Sequence, residues 1–187
     1  MQDTELIQIV DAALAEAARR GGAWLACRPG CAQCCVGVFA ISGADAARLR
    51  SGWDALALSD AARADRVRRR AQAWVERNAG DFPGDPATGI LDEGDEADAR
   101  FDEFANEETC PALDPETLTC DLYAARPLTC RTFGPAIRIG PGALGACELC
   151  YVGASEEEIE RCAVELDVWA LEDGPGNRTT VAHALIY

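Results

Sequence analysis

A mostly α fold, one small domain with irregular cysteine-rich loops between its helices, is what this sequence predicts on three observations. Apolar residues recur at helical spacing in three stretches, near 4–20, 59–78 and 155–172. Proline, glycine and nine of the ten cysteines crowd the segments between them. The 187-residue length and 49% hydrophobic content suit a single domain, residues 1–187, with a moderate core. Aromatic residues are few and alanine is abundant, so thin helix packing is expected, and a staple would help it.

The first helix rests on Leu6, Ile9, Val10, Ala13, Leu14 and Ala17, which share one face, with Gly21-Gly22 as its stop. An irregular loop broken by Pro29 and Gly30 follows, and Val36 to Ile41 reads as an extended exit from it. Ser42-Gly-Ala-Asp45 has the form of a capping box ahead of a short helix around 44–51. Ser59 is expected to open the next helix, with Val67, Ala71, Trp74 and Val75 inward. Its outer residues, Arg63, Arg66, Arg68, Arg69 and Arg70, read as a solvated basic face; the alternative is docking of an acidic partner or of the protein's own acidic loop. That loop, residues 80–108, holds eleven acids against Arg100 and reads as a partly mobile surface insert. Leu122 to Ala125 can form one helical turn ahead of Pro127. Ser155-Glu-Glu-Glu158 is a second capping box for a helix to about Glu172, ended by Gly174-Pro175-Gly176. The apolar tail Thr179 to Tyr187 is expected as strand or docked coil.

The cysteines carry the chemistry. Cys27, Cys31, Cys34 and Cys35 lie within nine residues; Cys110, Cys120 and Cys130 form a C-x9-C-x9-C ladder; Cys147 and Cys150 form C-x-x-C. Ligands two to four residues apart reach one ion without strain. Thiolates are soft donors that select zinc, copper(I) and iron–sulfur clusters over hard cations. Disulfides fit less well. Adjacent Cys34 and Cys35 make a poor bridge, and the acidic N-terminal run lacks the basic and apolar regions of a secretory signal. The expectation is a cytoplasmic protein with reduced thiols, its loops stapled by metal. Cys162 falls on an apolar helix face and reads as a core thiol, and His183, the lone histidine, as packing.

A net charge of −15 argues against nucleic acid as a partner and fits a basic protein partner. No run approaches the roughly 18 apolar residues of a membrane span. Arg28, Arg126 and Arg131 lie beside cysteines, where a guanidinium would offset thiolate charge; Arg126 and Arg131 are the candidate cofactor-binding cations. Trp24 stands close enough to Cys27 to shield it. No phosphate-binding glycine loop, Ser/His/Asp set or H-E-x-x-H motif is present, so enzyme status is left open and no catalytic residue is assigned.

Cys27-x3-Cys31-x2-Cys34-Cys35, then Cys110-Pro111-Ala-Leu113, then Cys120-Asp-Leu-Tyr123-Ala-Ala-Arg126-Pro127-Leu-Thr-Cys130-Arg131-Thr-Phe133, resembles the CxxCxxCC (YkgJ-like) family of zinc- or iron-chelating proteins. The resemblance implies bound zinc or iron, with Cys27, Cys31, Cys34, Cys35, Cys110, Cys120 and Cys130 as ligands and Cys147 or Cys150 as the eighth. The first gap of three residues departs from the family's two. It matches the C-x3-C-x2-C of radical S-adenosylmethionine enzymes, but no alternating strand–helix rhythm follows Cys35. The functional expectation is metal binding by clustered thiolates, an iron–sulfur cluster first and zinc second, in a redox or electron-transfer protein. The alternatives are a structural-zinc module for protein recognition and an iron–sulfur-dependent enzyme. The four cysteines of the first loop are expected to share metal with Cys110, Cys120, Cys130 and one of Cys147/Cys150.

Overall fold

In a computed structural model, residues 3–138, 143–166 and 177–187 are described. About half the chain is helical, and among the described residues every strand is two residues long. The chain divides into two compact units, Met1–Cys31 with Leu128–Gly174, and Ala32–Pro127 with Pro175–Tyr187. The boundary falls inside the first cysteine loop, between Cys31 and Ala32.

The first unit is organised on helix α1 (Asp3–Gly21). Its spacing buries Leu6 and Val10 against Leu128 and Leu166, and Ala17 against Ile137 and Val164. Each fully buried side chain of Val or Leu size contributes about 2 kcal/mol of transfer free energy. The acids Asp3 and Glu5 in the first turn and Arg19 and Arg20 in the last suit the helix dipole. A three-stranded sheet holds Ile137–Arg138 at its centre, with Leu144–Gly145 antiparallel on one side and Val164–Glu165 parallel on the other. The Ser155 capping box is complete: Ser155 Oγ accepts from Glu158 N, and Glu158 Oε2 accepts from Ser155 N. The helix it opens stops at Cys162, however, not near Glu172. Cys162 and Leu166 fit a helix face, but buried Val164 and Leu166 flanking exposed Glu165 fit a strand equally well. Pairing with Ile137 decides for the strand. The remainder of that expected helix and its Gly174-Pro175-Gly176 stop lie outside the described residues.

In the second unit, α2 (Gly43–Ser59) and α3 (Ala61–Asn78) pack with the short C-terminal helix Val181–Ala184. Ile41, Leu49, Val67, Ala71, Ala112, Leu122 and Leu185 form its main core. Ser42 caps α2 by accepting from Asp45 N, as expected, but α2 runs eight residues past the expected end at 51. The cap of α3 is Asp60, which accepts from Arg63 N, and Ser59 closes α2 instead. Of the expected extended run Val36 to Ile41, the two ends pair, Val36 with Thr109 and Ile41 with Thr179, and Gly37 bends the chain between them at a φ of +91°. Tyr123–Ala125 forms the single turn expected before Pro127.

Three expectations are corrected here. The acidic segment 80–108 is a built part of the unit: a Gly84–Asp85/Ile90–Leu91 hairpin, then helix α4 (Asp95–Glu103). Its Phe82, Leu91 and Phe104 pack with Trp74 in a second core, with Phe101 against it. Four apolar residues suffice because they converge on one tryptophan, while their spacing is masked by the surrounding acids. The basic face of α3 is not simply solvated. Arg70 and Arg63 bind Asp121, Arg77 binds Glu108 of the acidic segment at 2.8 Å, and Arg68 lies over the Trp53 ring at 4.5 Å. The tail is helical, with Thr180 Oγ1 accepting from His183 N and fixing its start.

Candidate metal centre

Four thiols of the second unit come together from three stretches of chain. Gln33–Cys35 makes one 3-10 turn, closed by Cys35 N donating to Ala32 O at 2.9 Å. The backbone then runs antiparallel to Glu108–Cys110. Gly37 N donates to Glu108 O at 2.9 Å and Cys110 N to Cys35 O at 2.8 Å, which sets Cys35 beside Cys110. Cys120 arrives on the hairpin Leu113–Asp114/Thr119–Cys120, where it stands opposite Leu113. The turn of that hairpin is fixed by Asp114 Oδ1, which accepts from Glu116 N and Thr117 N at 2.8 and 3.2 Å. Leu113 N also donates to Cys110 O, so Cys110 and Cys120 belong to one hydrogen-bonded piece.

Helix α3 clamps that piece. The Asp121 carboxylate is fully buried and accepts from Arg63 Nε at Oδ1 and from Arg70 Nη2 at Oδ2, both at 2.5 Å. Arg70 Nε donates to Pro111 O at 2.8 Å. One guanidinium therefore holds both cysteine-bearing strands, next to Cys110 and next to Cys120. Arg63 and Arg70 are seven residues apart and so share a helix face. That spacing was the readable signal for a common target, and sequence reasoning missed it.

The electrostatics of this set follow from the crowding. The Cys34 thiol is lowered to about 6 by the hydrogen bond from Cys35, by a backbone N–H and by the Arg126 charge, against the effect of burial. Cys35 is pushed strongly up, because its proton is engaged by Cys34 and it is buried among Cys110, Cys34 and Cys120. Burial pushes Cys110 up to about 12 and raises Cys120 as well. Neighbouring thiols disfavour each other's ionisation, and a cation among them reverses that. Arg126 is the expected cation beside these sulfurs; it stacks at 3.6 Å over the exposed Tyr123 ring and donates to Tyr123 O.

The first unit has its own set. Cys27 Sγ lies 3.9 Å from Cys150 Sγ, and Ala26 N points at the same Cys150 sulfur at 3.4 Å. Tyr151 N donates to Trp24 O at 2.8 Å, so Trp24 borders the set. The Cys147–Cys150 turn closes through Cys150 N to Cys147 O at 2.9 Å, and Cys147 N donates to Gly134 O at 3.2 Å. Cys31 N bonds back to Arg28 O at 2.9 Å across Pro29-Gly30. Cys27 is exposed as a residue, yet partial desolvation of its sulfur and the charges of Cys150, Cys31 and Cys147 push it up to about 12. Cys147 is raised by desolvation and by Cys150. Gly134 is the residue that sequence reasoning missed here. Its φ is +116°, and a Cβ on it would sit 2.7 Å from Cys27 Sγ.

The family model for CxxCxxCC, described as a putative zinc- or iron-chelating domain, matches residues 26–162 and so spans all ten cysteines. The chain belongs to the CxxCxxCC family. No curated protein matches it. No solved structure matches it.

The donor chemistry fits what the CxxCxxCC family is described as chelating. The first unit holds six soft thiols and the second four, and all ten cysteines are free. A tetrahedral ion with metal–sulfur bonds of about 2.3 Å separates its sulfurs by about 3.8 Å, and Cys27 and Cys150 stand 3.9 Å apart. Among the described residues, no three Cys, His, Asp or Glu side chains have the full geometry of a metal site, so this fit is one of donor type and one sulfur–sulfur edge. Cys130 lies half-buried on the one-turn helix Leu128–Arg131 of the first unit. The buried Arg131 on that turn holds both oxygens of Asp11 on α1, at 2.7 and 3.0 Å. Cys162 packs in the core with Cys150 and Tyr151, its thiol donating to Arg20 O at 3.4 Å. His183 is buried with Trp74, Phe82 and Tyr187, its Nδ1 on Thr180 Oγ1 at 2.9 Å. No helix among the described residues is long and apolar enough to cross a membrane.

Proposed function

We propose that this protein chelates a soft transition metal through thiolates, with each bound ion held by sulfur alone. The observation that carries the reading is the convergence of Cys34, Cys35, Cys110 and Cys120. In support of it, backbone ladders set Cys35 beside Cys110 and carry Cys110 and Cys120 on one hydrogen-bonded piece, and the thiols of this set act on one another's ionisation. Zinc or a single iron is the first choice of ion. Supporting it is the 3.9 Å contact of Cys27 with Cys150, close to the edge of a one-ion tetrahedron and tighter than a cluster that seats each thiolate on its own iron. The ion would supply charge that allows several crowded thiols to ionise together, and so would tie loops to loops.

An iron–sulfur cluster with a redox role is the second reading. It is favoured by the number of thiols and by Arg126, whose charge reaches Cys34 and Cys120 and would offset a cluster's residual negative charge. The cytoplasmic, thiol-reducing setting belongs to both readings, as does a protein partner that recognises the stapled loops. Anaerobic purification with metal analysis and a visible spectrum separates them. A colourless protein carrying zinc supports the first reading, and a brown protein with broad visible absorption and inorganic sulfide supports the second. A protein that carries no metal and takes none up when reduced and titrated contradicts both.

A further inference from the structure

The motif from Cys27 to Cys35 reads as one continuous ligand run, yet the unit boundary cuts it after Cys31. Cys27 and Cys31 fold in the unit that also holds Cys130, Cys147, Cys150 and Cys162, while Cys34 and Cys35 fold with Cys110 and Cys120. In the first unit, Cys147 and Cys150 act on the Cys27 sulfur, and the Cys162 thiol donates to Arg20 O. Each half of the run is locked to its own distant partners. On one side, Cys27 touches Cys150, and the Cys147–Cys150 turn is tied to Gly134, whose missing Cβ leaves room for the Cys27 sulfur. On the other, Cys35 O is bonded by Cys110 N, and Cys110 and Cys120 share one hairpin. We infer that the chain carries two independent four-sulfur metal sites: Cys27, Cys31, Cys147 and Cys150 in one unit, and Cys34, Cys35, Cys110 and Cys120 in the other. The inference rests on the chelation reading above and assigns its ligands.

Each site would take one soft divalent ion, zinc or ferrous iron, on four thiolates. The remaining thiol protons are released to solvent on binding. The assignment makes both Cys147 and Cys150 ligands of the same ion. C-x2-C and C-x3-C are spacings at which two sulfurs reach one metal without strain, and the first set uses one of each. The second set instead uses the adjacent pair Cys34-Cys35, whose thiols are hydrogen-bonded to each other. The short link from Cys31 to Cys34 thereby joins two sites rather than closing one.

The test is metal stoichiometry per chain in the full-length protein, purified reduced, with zinc and iron both counted after release to a chromogenic chelator. Wild type is expected to carry two equivalents. The double variants Cys27→Ser/Cys150→Ser and Cys35→Ser/Cys120→Ser are each expected to carry one, a twofold drop, and the quadruple variant none. One equivalent in wild type, or loss of all metal in both double variants, overturns the two-site inference and supports a single shared centre. Where a double variant does not fold, cadmium NMR of the substituted wild-type protein gives the answer instead: two resonances support the inference and one overturns it. Wild type that binds neither zinc nor iron removes the chelation reading itself, which is a different failure.

Discussion

Cys34, Cys35, Cys110 and Cys120 are held by paired backbone and an ion-pair clamp, whereas Cys27, Cys31, Cys147 and Cys150 are held by turns. In the second unit, Cys110 and Cys120 pack against a core of aliphatic side chains, and Arg63 and Arg70 reach from α3 to fix the strands that carry them. In the first, the thiols sit on loops whose shape depends on a left-handed glycine and on the Tyr151 hydroxyl, which accepts from Ala136 N at 3.1 Å. Two sets of thiols are thus supported in two ways, one by buried charge pairing and one by backbone conformation. The two supports should fail under different insults.

The largest expected effect is on the clamp. Asp121→Ala removes the buried carboxylate that holds Arg63 and Arg70; both guanidinium groups are partly exposed and regain water, so the cost sits at the low end for a broken buried pair, about 3 kcal/mol. Urea unfolding should report that loss. Metal retention by the Cys35 set should fall while the Cys27 set keeps its ion, and an equal loss at both sets would break the comparison.

Acid should act next, between pH 6.5 and 4 through the chain's one histidine, which lies in the second unit. Burial among aromatic rings lowers His183 from 6.5 to about 4. The unfolded chain therefore takes up the proton first. The stability contribution is complete above pH 6.5 and is lost as pH falls toward 4, amounting to about 3 kcal/mol at the acid end. His183→Gln should flatten that part of the pH–stability curve. An unchanged slope between pH 6.5 and 4 would show that the buried ring is not its source.

The smallest of the three effects is at Gly134. Ala there must adopt φ of +116° and meet Cys27 Sγ at 2.7 Å, so Gly134→Ala should cost about 2 kcal/mol, with metal lost first from the Cys27 set. Differential zinc release on mild chelation measures it. Loss confined to the Cys35 set would contradict the placement of Gly134 against Cys27.

Much of this architecture was legible in the sequence, and the illegible parts share a cause. Helix α1 and the Ser155 capping box are local: apolar period and cap chemistry lie within a few residues. The end of the following helix was not local, because Val164 became a strand only by pairing with Ile137, 27 residues earlier. The fold of the acidic segment depended on Trp74 of a preceding helix, and the role of the α3 arginines on a carboxylate about fifty residues away. The cysteines announced metal chemistry through their number and spacing. Which cysteine joins which was hidden, because adjacency from Cys31 to Cys34 suggested one site while the fold draws the two halves of that run to different partners.

Native mass spectrometry of the reduced full-length chain, kept anaerobic from expression onward, tests the central claim most directly. The account predicts a dominant species of one chain plus two metal ions, stepping to one ion and then to none as chelator is added. A chain that carries a single ion, or that flies metal-free with ten unmodified thiols after metal loading, contradicts it.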